Sequence, residues 1–178
     1  MTQRTDLGLL LESFARNGRV NEVVLDTITE VDLALEDSQG GWNVGQHLGH
    51  LAEFRYSWLR FISPPHAENI PSVVESDMQN PRLAENPRLT AQSLDEIKQA
   101  FSAGDIAALE AVTSALGGNR SFEGAYKSHP THFLQHIIVH DAHHRGQIFS
   151  LLRRGGWTRE QLGALDDATW SIWNEEQL

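Results

Sequence analysis

Four of the nine histidines fall within residues 136–148, in the stretch HIIVHDAHHRGQI. Imidazoles this dense are candidates for metal ligands, for proton-transfer groups, or for the polar face of an ordinary helix. His132, His136, His140 and His144 follow one another at four-residue steps. Side chains at i and i+4 lie one above the other on a helix, so each neighbouring pair has chelating geometry. The row rotates by ~40° per step, however, and all four cannot meet one ion. Phe133, Leu134, Ile137, Ile148, Leu151 and Leu152 share one side of the helical wheel. His144 lies at the edge of that face, His140 lies ~40° further out, and His136 and His143 turn towards the polar side. A buried site must therefore draw on His140 and His144.

A third ligand is available in HLGHLAEF, where His47 and His50 stand at i, i+3. The apolar face of that segment is Leu51, Phe54, Trp58 and Ile62; His47 points well into it and His50 sits at its edge. Periodicity does not choose between the two and mildly favours His47 as the more buried. Glu53 reads as a surface glutamate. The chain has no cysteine. That excludes disulfides, thiolate metal sites, iron–sulfur clusters and a cysteine nucleophile, so any transition-metal site must use imidazole and carboxylate. A di-iron bundle would need Glu-x-x-His motifs, and none is present.

The elements that must position these residues read as helices. Residues 4–35 carry an apolar stripe through Leu7, Leu10, Leu11, Phe14, Val20, Val23, Val24, Ile28 and Val31, which predicts one long helix, or two with a bend at Asn17-Gly18. Asn43 caps a helix over 44–62 that stops at Ser63-Pro64-Pro65. Residues 63–91 contain five of the six prolines and predict a long loop, with a short helical turn near Val73–Met78. Ser93 and Glu96 open a third helix to about Leu116, Pro130 suits the first turn of a fourth that runs to Arg154, and a last amphipathic piece covers 158–174. No alternating run suggests a sheet. Residues 1–178 are expected to form a single all-α domain, a four-helix bundle with an additional C-terminal helical segment. Trp157, Trp170 and Trp173 are expected to close the core or a dimer interface.

Twenty-four acidic against fourteen basic residues give a net charge of −10, which argues against a nucleic-acid partner. No apolar run approaches the ~18 residues needed to cross a bilayer. The first residues read as the start of a helix rather than a signal peptide, so the expected location is the cytoplasm.

Two stretches together, GWNVGQHLGHLAEFRYSWL at 41–59 and HDAHHRGQIFSLLRRGG at 140–156, resemble the DinB-like (DinB/YfiT) superfamily. Its pattern is a tryptophan eight residues before a histidine on the second helix, met here by Trp42 and His50. A later His-x-x-x-His-Arg-Gly-Gln-Ile is met by His140, His144, Arg145, Gly146, Gln147 and Ile148. The resemblance covers essentially the whole chain. It implies an up-down-down-up four-helix bundle, often a homodimer, with a divalent metal held by three histidines. Carried over by position, these are His50, His140 and His144, and it is the resemblance that selects His50 over His47. It implies zinc or nickel, with iron a further candidate. The function implied is a thiol-dependent S-transferase or a hydrolase acting on a small molecule, with a low-molecular-weight thiol as partner. A non-catalytic metal- or ligand-binding stress-response protein is the alternative. Asp141 and Tyr126 are candidates for supporting the ligands, and Arg145 for packing or an ion pair.

Overall fold

The computed structural model describes residues 5–75, 88–91 and 93–174. Helix α1 spans Asp6–Thr27, α2 Val44–Ile62, α3 Pro64–Ala67, α4 Leu94–Gly117, α5 Thr131–Arg154 and α6 Arg159–Asn174. A two-residue ribbon pairs β1, Val74–Glu75, antiparallel with β2, Arg88–Leu89.

The helix starts follow local chemistry. Thr5 accepts from the Gly8 amide, and Ser93 from the Glu96 amide. Asn43 accepts from the Gln46 amide at 2.8 Å while Gln46 accepts from the Asn43 amide at 2.9 Å, a reciprocal cap for α2.

The first helix takes the unbent one of the two expected forms but stops short of residue 35. It does not bend at Asn17-Gly18 but continues to Thr27. The chain then turns at Ile28, and a 3-10 turn follows over Glu30–Ala34, opened by Thr29 and Asp32. Asn17 is fully buried and bonded across the core, and a Cβ on Gly18 would stand 3.2 Å from the Asp105 carboxylate. The Asn-Gly pair thus serves a close helix approach rather than a break.

Two apolar clusters occupy opposite ends of the bundle and fix its topology. One joins Val24 and Leu25 of α1, Leu48 and Leu51 of α2, Ile97 and Phe101 of α4, and Ile148 and Leu152 of α5. The other joins Phe14, Leu59 and Ile62, Ala108 and Val112, and Phe133 and Ile137. The α1 and α5 helices therefore run one way and α2 and α4 the other, an up-down-down-up bundle.

Because α2 and α4 are parallel, the chain must climb back along α2, ~28 Å at 1.5 Å per residue, before α4 begins. That is a physical reason for the length of the 63–91 connection. Its described parts are α3 and the ribbon, which lays Leu89 over Gly45 and Gly49 of α2. The helical turn expected at Val73–Met78 is strand at Val74–Glu75, and 76–78 lie outside the described residues.

Helix α6 packs on α1, with Leu162, Leu165 and Ile172 buried and an Arg16 guanidinium donating to the Ile172 carbonyl. Trp157 joins the core edge and donates to Asp32 at 2.8 Å, whereas Trp170 is exposed. No helix is long and apolar enough to cross a membrane among the described residues.

Candidate metal centre

The antiparallel run of α2 and α5 pairs their histidines across the seam. His47 meets His144, with Nδ1 atoms 2.9 Å apart, and His50 meets His140, with Nε2 atoms 3.1 Å apart. Ring nitrogens of His50, His140 and His144 lie within 4.8 Å of one another. His47 and His144 are buried, while His50 and His140 are half-buried. His136 and His143 are exposed, as the wheel indicated.

Burial lowers all four clustered imidazoles. His47 and His50 fall to about 4, and His140 and His144 to about 3, where neighbouring rings add to the effect of burial. All four are neutral at pH 7, the state in which imidazole ligates a metal. Two nitrogens held ~2.0–2.1 Å from a tetrahedral zinc are about 3.3 Å apart, close to the observed His50–His140 spacing. His140 Nδ1 is buried without a hydrogen-bond partner, an uncommon condition for a buried polar atom. The donor set, three imidazoles and no thiolate, suits zinc, nickel or iron.

Trp42 closes one end of this row. Its ring is parallel to His144 at 5.8 Å and edge-on to His50 at 4.8 Å. At the other end Phe54 stacks on His140 at 4.0 Å.

The expected supporting residues go elsewhere. Asp141 touches none of the rings by hydrogen bond. It is fully buried and receives Arg55 in a two-point contact, at 3.0 Å to Oδ1 and 2.7 Å to Oδ2. Its Oδ2 also accepts from Asn17 and Asn21, each at 2.7 Å. Arg145 donates to the side-chain oxygens of the same two asparagines at 2.9 and 2.6 Å. Arg55 completes its set with Asp105 at 2.6 Å and the Leu51 carbonyl at 2.8 Å, and lies 4.8 Å over the Phe101 ring.

Two arginines and two aspartates thus balance in charge. Burial opposes ionisation of Asp141, but Arg55 outweighs it and holds the carboxyl below its usual range. Gly104 leaves room for this arrangement, since a Cβ there would stand 2.9 Å from Arg55 Cβ and Cδ. Sequence reasoning missed Arg55. An arginine one residue after an apolar Phe54 offers no signal until helices α4 and α5 supply its carboxylates.

Glu53, expected at the surface, is buried and accepts from Ser57 at 3.3 Å and Ser72 at 3.0 Å. The connection before the ribbon covers it, a contact no local pattern encodes. Tyr126 bonds His136, not a clustered histidine.

The compared curated proteins and solved structures contain no match to this chain. The sequence model of the DinB family matches residues 1–177. With the helical bundle and its three-histidine cluster in place, that match across the chain shows that it belongs to the DinB family.

Proposed function

We propose that the protein is a metal-dependent enzyme acting on a small molecule, as a thiol-dependent transferase or a hydrolase. In this reading His50, His140 and His144 hold a divalent ion, zinc or nickel, with iron the further candidate. The observation that supports it is the convergence of three neutral imidazoles from two helices on a common point. When bound, such an ion supplies a Lewis acid with a position left for an exchangeable ligand.

The protein's own residues set the frame. His47 holds the His144 ring by its Nδ1, which leaves His144 Nε2 as the nitrogen for an ion. Trp42 shields the His144 end from water. The Arg55–Asp141 pair ties α2 to α5 next to the ligands and so fixes their spacing. A binding protein without turnover would favour an enclosed site. The half-buried His50 and His140 favour an approachable one.

Protein purified without a histidine tag should carry or take up about one equivalent of zinc, nickel or iron. Less than about a tenth of an equivalent, with no uptake on titration, would sink the proposal. Replacement His144→Ala should weaken binding strongly, because one of three bonds is lost. Unchanged affinity in that variant would remove His144 from the ligand set.

A further inference from the structure

Tyr126 sits in the connector between α4 and α5 at φ +50. Bulky side chains rarely adopt this left-handed conformation, which is strained. The turn before it is fixed by Gly124 at φ +82, where a Cβ would stand 2.6 Å from the Phe61 ring. The strained residue places its hydroxyl 2.8 Å from His136 Nδ1. His136 is exposed, so water would satisfy that nitrogen equally well. The Tyr126 ring packs against Phe133 and Trp58 at the edge of the core, and its hydroxyl is left to engage His136.

The pair stands beside the histidine cluster. His136 lies one turn of α5 from His140, with ring centroids 6.0 Å apart. Phe54 is edge-on to His136 at 4.9 Å and stacked on His140 at 4.0 Å. Trp58 is edge-on to Tyr126 at 5.3 Å and to His136 at 6.1 Å. Trp42 closes the opposite end, against buried His144. Of the half-buried members of the cluster, His50 lies against Trp42 and His140 borders this aromatic collar.

We propose that His136, oriented by Tyr126, binds the organic part of a ligand whose donor atom sits at the three-histidine cluster, and that this part is planar, aromatic or conjugated, and carries one hydrogen-bonding atom. The proposal rests on the reading of that cluster as a metal site. Half-buried Trp58 and Tyr126 flank exposed His136 with aromatic surface that favours another ring. The Tyr126 hydroxyl settles Nδ1 of His136, which gives Nε2 a single role towards the ligand.

The test uses cobalt(II)-loaded protein and two thiols, 4-mercaptophenol and 2-mercaptoethanol, read by the thiolate-to-cobalt absorption band. Variants Tyr126→Phe and His136→Gln should each weaken 4-mercaptophenol about five- to tenfold, the loss of one hydrogen bond, and leave 2-mercaptoethanol within about twofold. The double variant should bind 4-mercaptophenol no more weakly than His136→Gln alone, since the two residues act as one unit. Equal losses for both thiols, or unchanged 4-mercaptophenol binding in both variants, would overturn the proposal and leave the metal reading standing. Failure of the unaltered protein to take up cobalt would overturn both.

Discussion

Helices α2 and α5 carry two buried polar clusters side by side, and they differ in whether their atoms are satisfied. In the Arg55–Asp141 cluster, both carboxylate oxygens of Asp141 and the Arg55 nitrogens engaged with it have partners at 2.6–3.0 Å, and two positive charges meet two negative ones. In the histidine cluster, rings of one kind face each other and compete for the same protons. His140 Nδ1 has no partner at all, alone in this among the buried side-chain atoms of the described residues. A balanced cluster is complete as it folds. The unbalanced one keeps a buried ring nitrogen without a partner. Adjacent positions on α5, His140 and Asp141, thus stand in opposite conditions.

The largest expected effect lies on the balanced side. Replacement Asp141→Ala leaves buried Arg55 with Asp105 alone and strips Asn17 and Asn21 of their shared acceptor, and should cost about 3–5 kcal/mol, read by urea denaturation. A loss comparable to a surface substitution would show that the cluster is not a structural tie.

Acid should separate the clusters next. The clustered histidines have folded pKa values of about 3 to 4 against 6.5 unfolded. The unfolded chain therefore binds more protons in that window. Stability of the metal-free protein is full above pH 6.5 and falls as pH drops towards 4, by at most about 1.4 kcal/mol per unit for each ring. Asp141, lowered from 3.8, adds its loss only below that value. A flat stability profile between pH 6.5 and 4 would break the distinction.

A smaller effect tests the role of His47. His47→Ala should weaken zinc about 10–100-fold without changing the stoichiometry, as expected of a group that orients a ligand. Loss of the stoichiometric site would make His47 a ligand itself. The smallest effect belongs to exposed His143, where His143→Ala should leave zinc affinity unchanged. A fall in affinity there would place the site on another face of α5.

The histidine cluster was legible because it obeys helical spacing. His140 and His144 recur at four residues and lie near the apolar face, and periodicity alone carries that information. The choice between His47 and His50 was not legible from the wheel, because both lie near the same apolar edge. The structure gives them different neighbours, His144 for one and His140 for the other. The Arg55–Asp141 cluster left little trace in the sequence. Asn17-Gly18 read as a bend beside the alternative of one long helix, Asp141 as a candidate support for a histidine and Glu53 as surface, each because its partner lies on a distant segment.

By itself, then, the sequence determined the helices, their caps, the apolar stripes and the three histidines that its family pattern marks. These follow from interactions within four residues along the chain, or from a motif read in register. Only the tertiary structure decided which polar side chains are spent on holding the bundle and which converge as a candidate metal site. Satisfaction of a buried polar group depends on what the neighbouring helix brings to it, and no single helix contains that information.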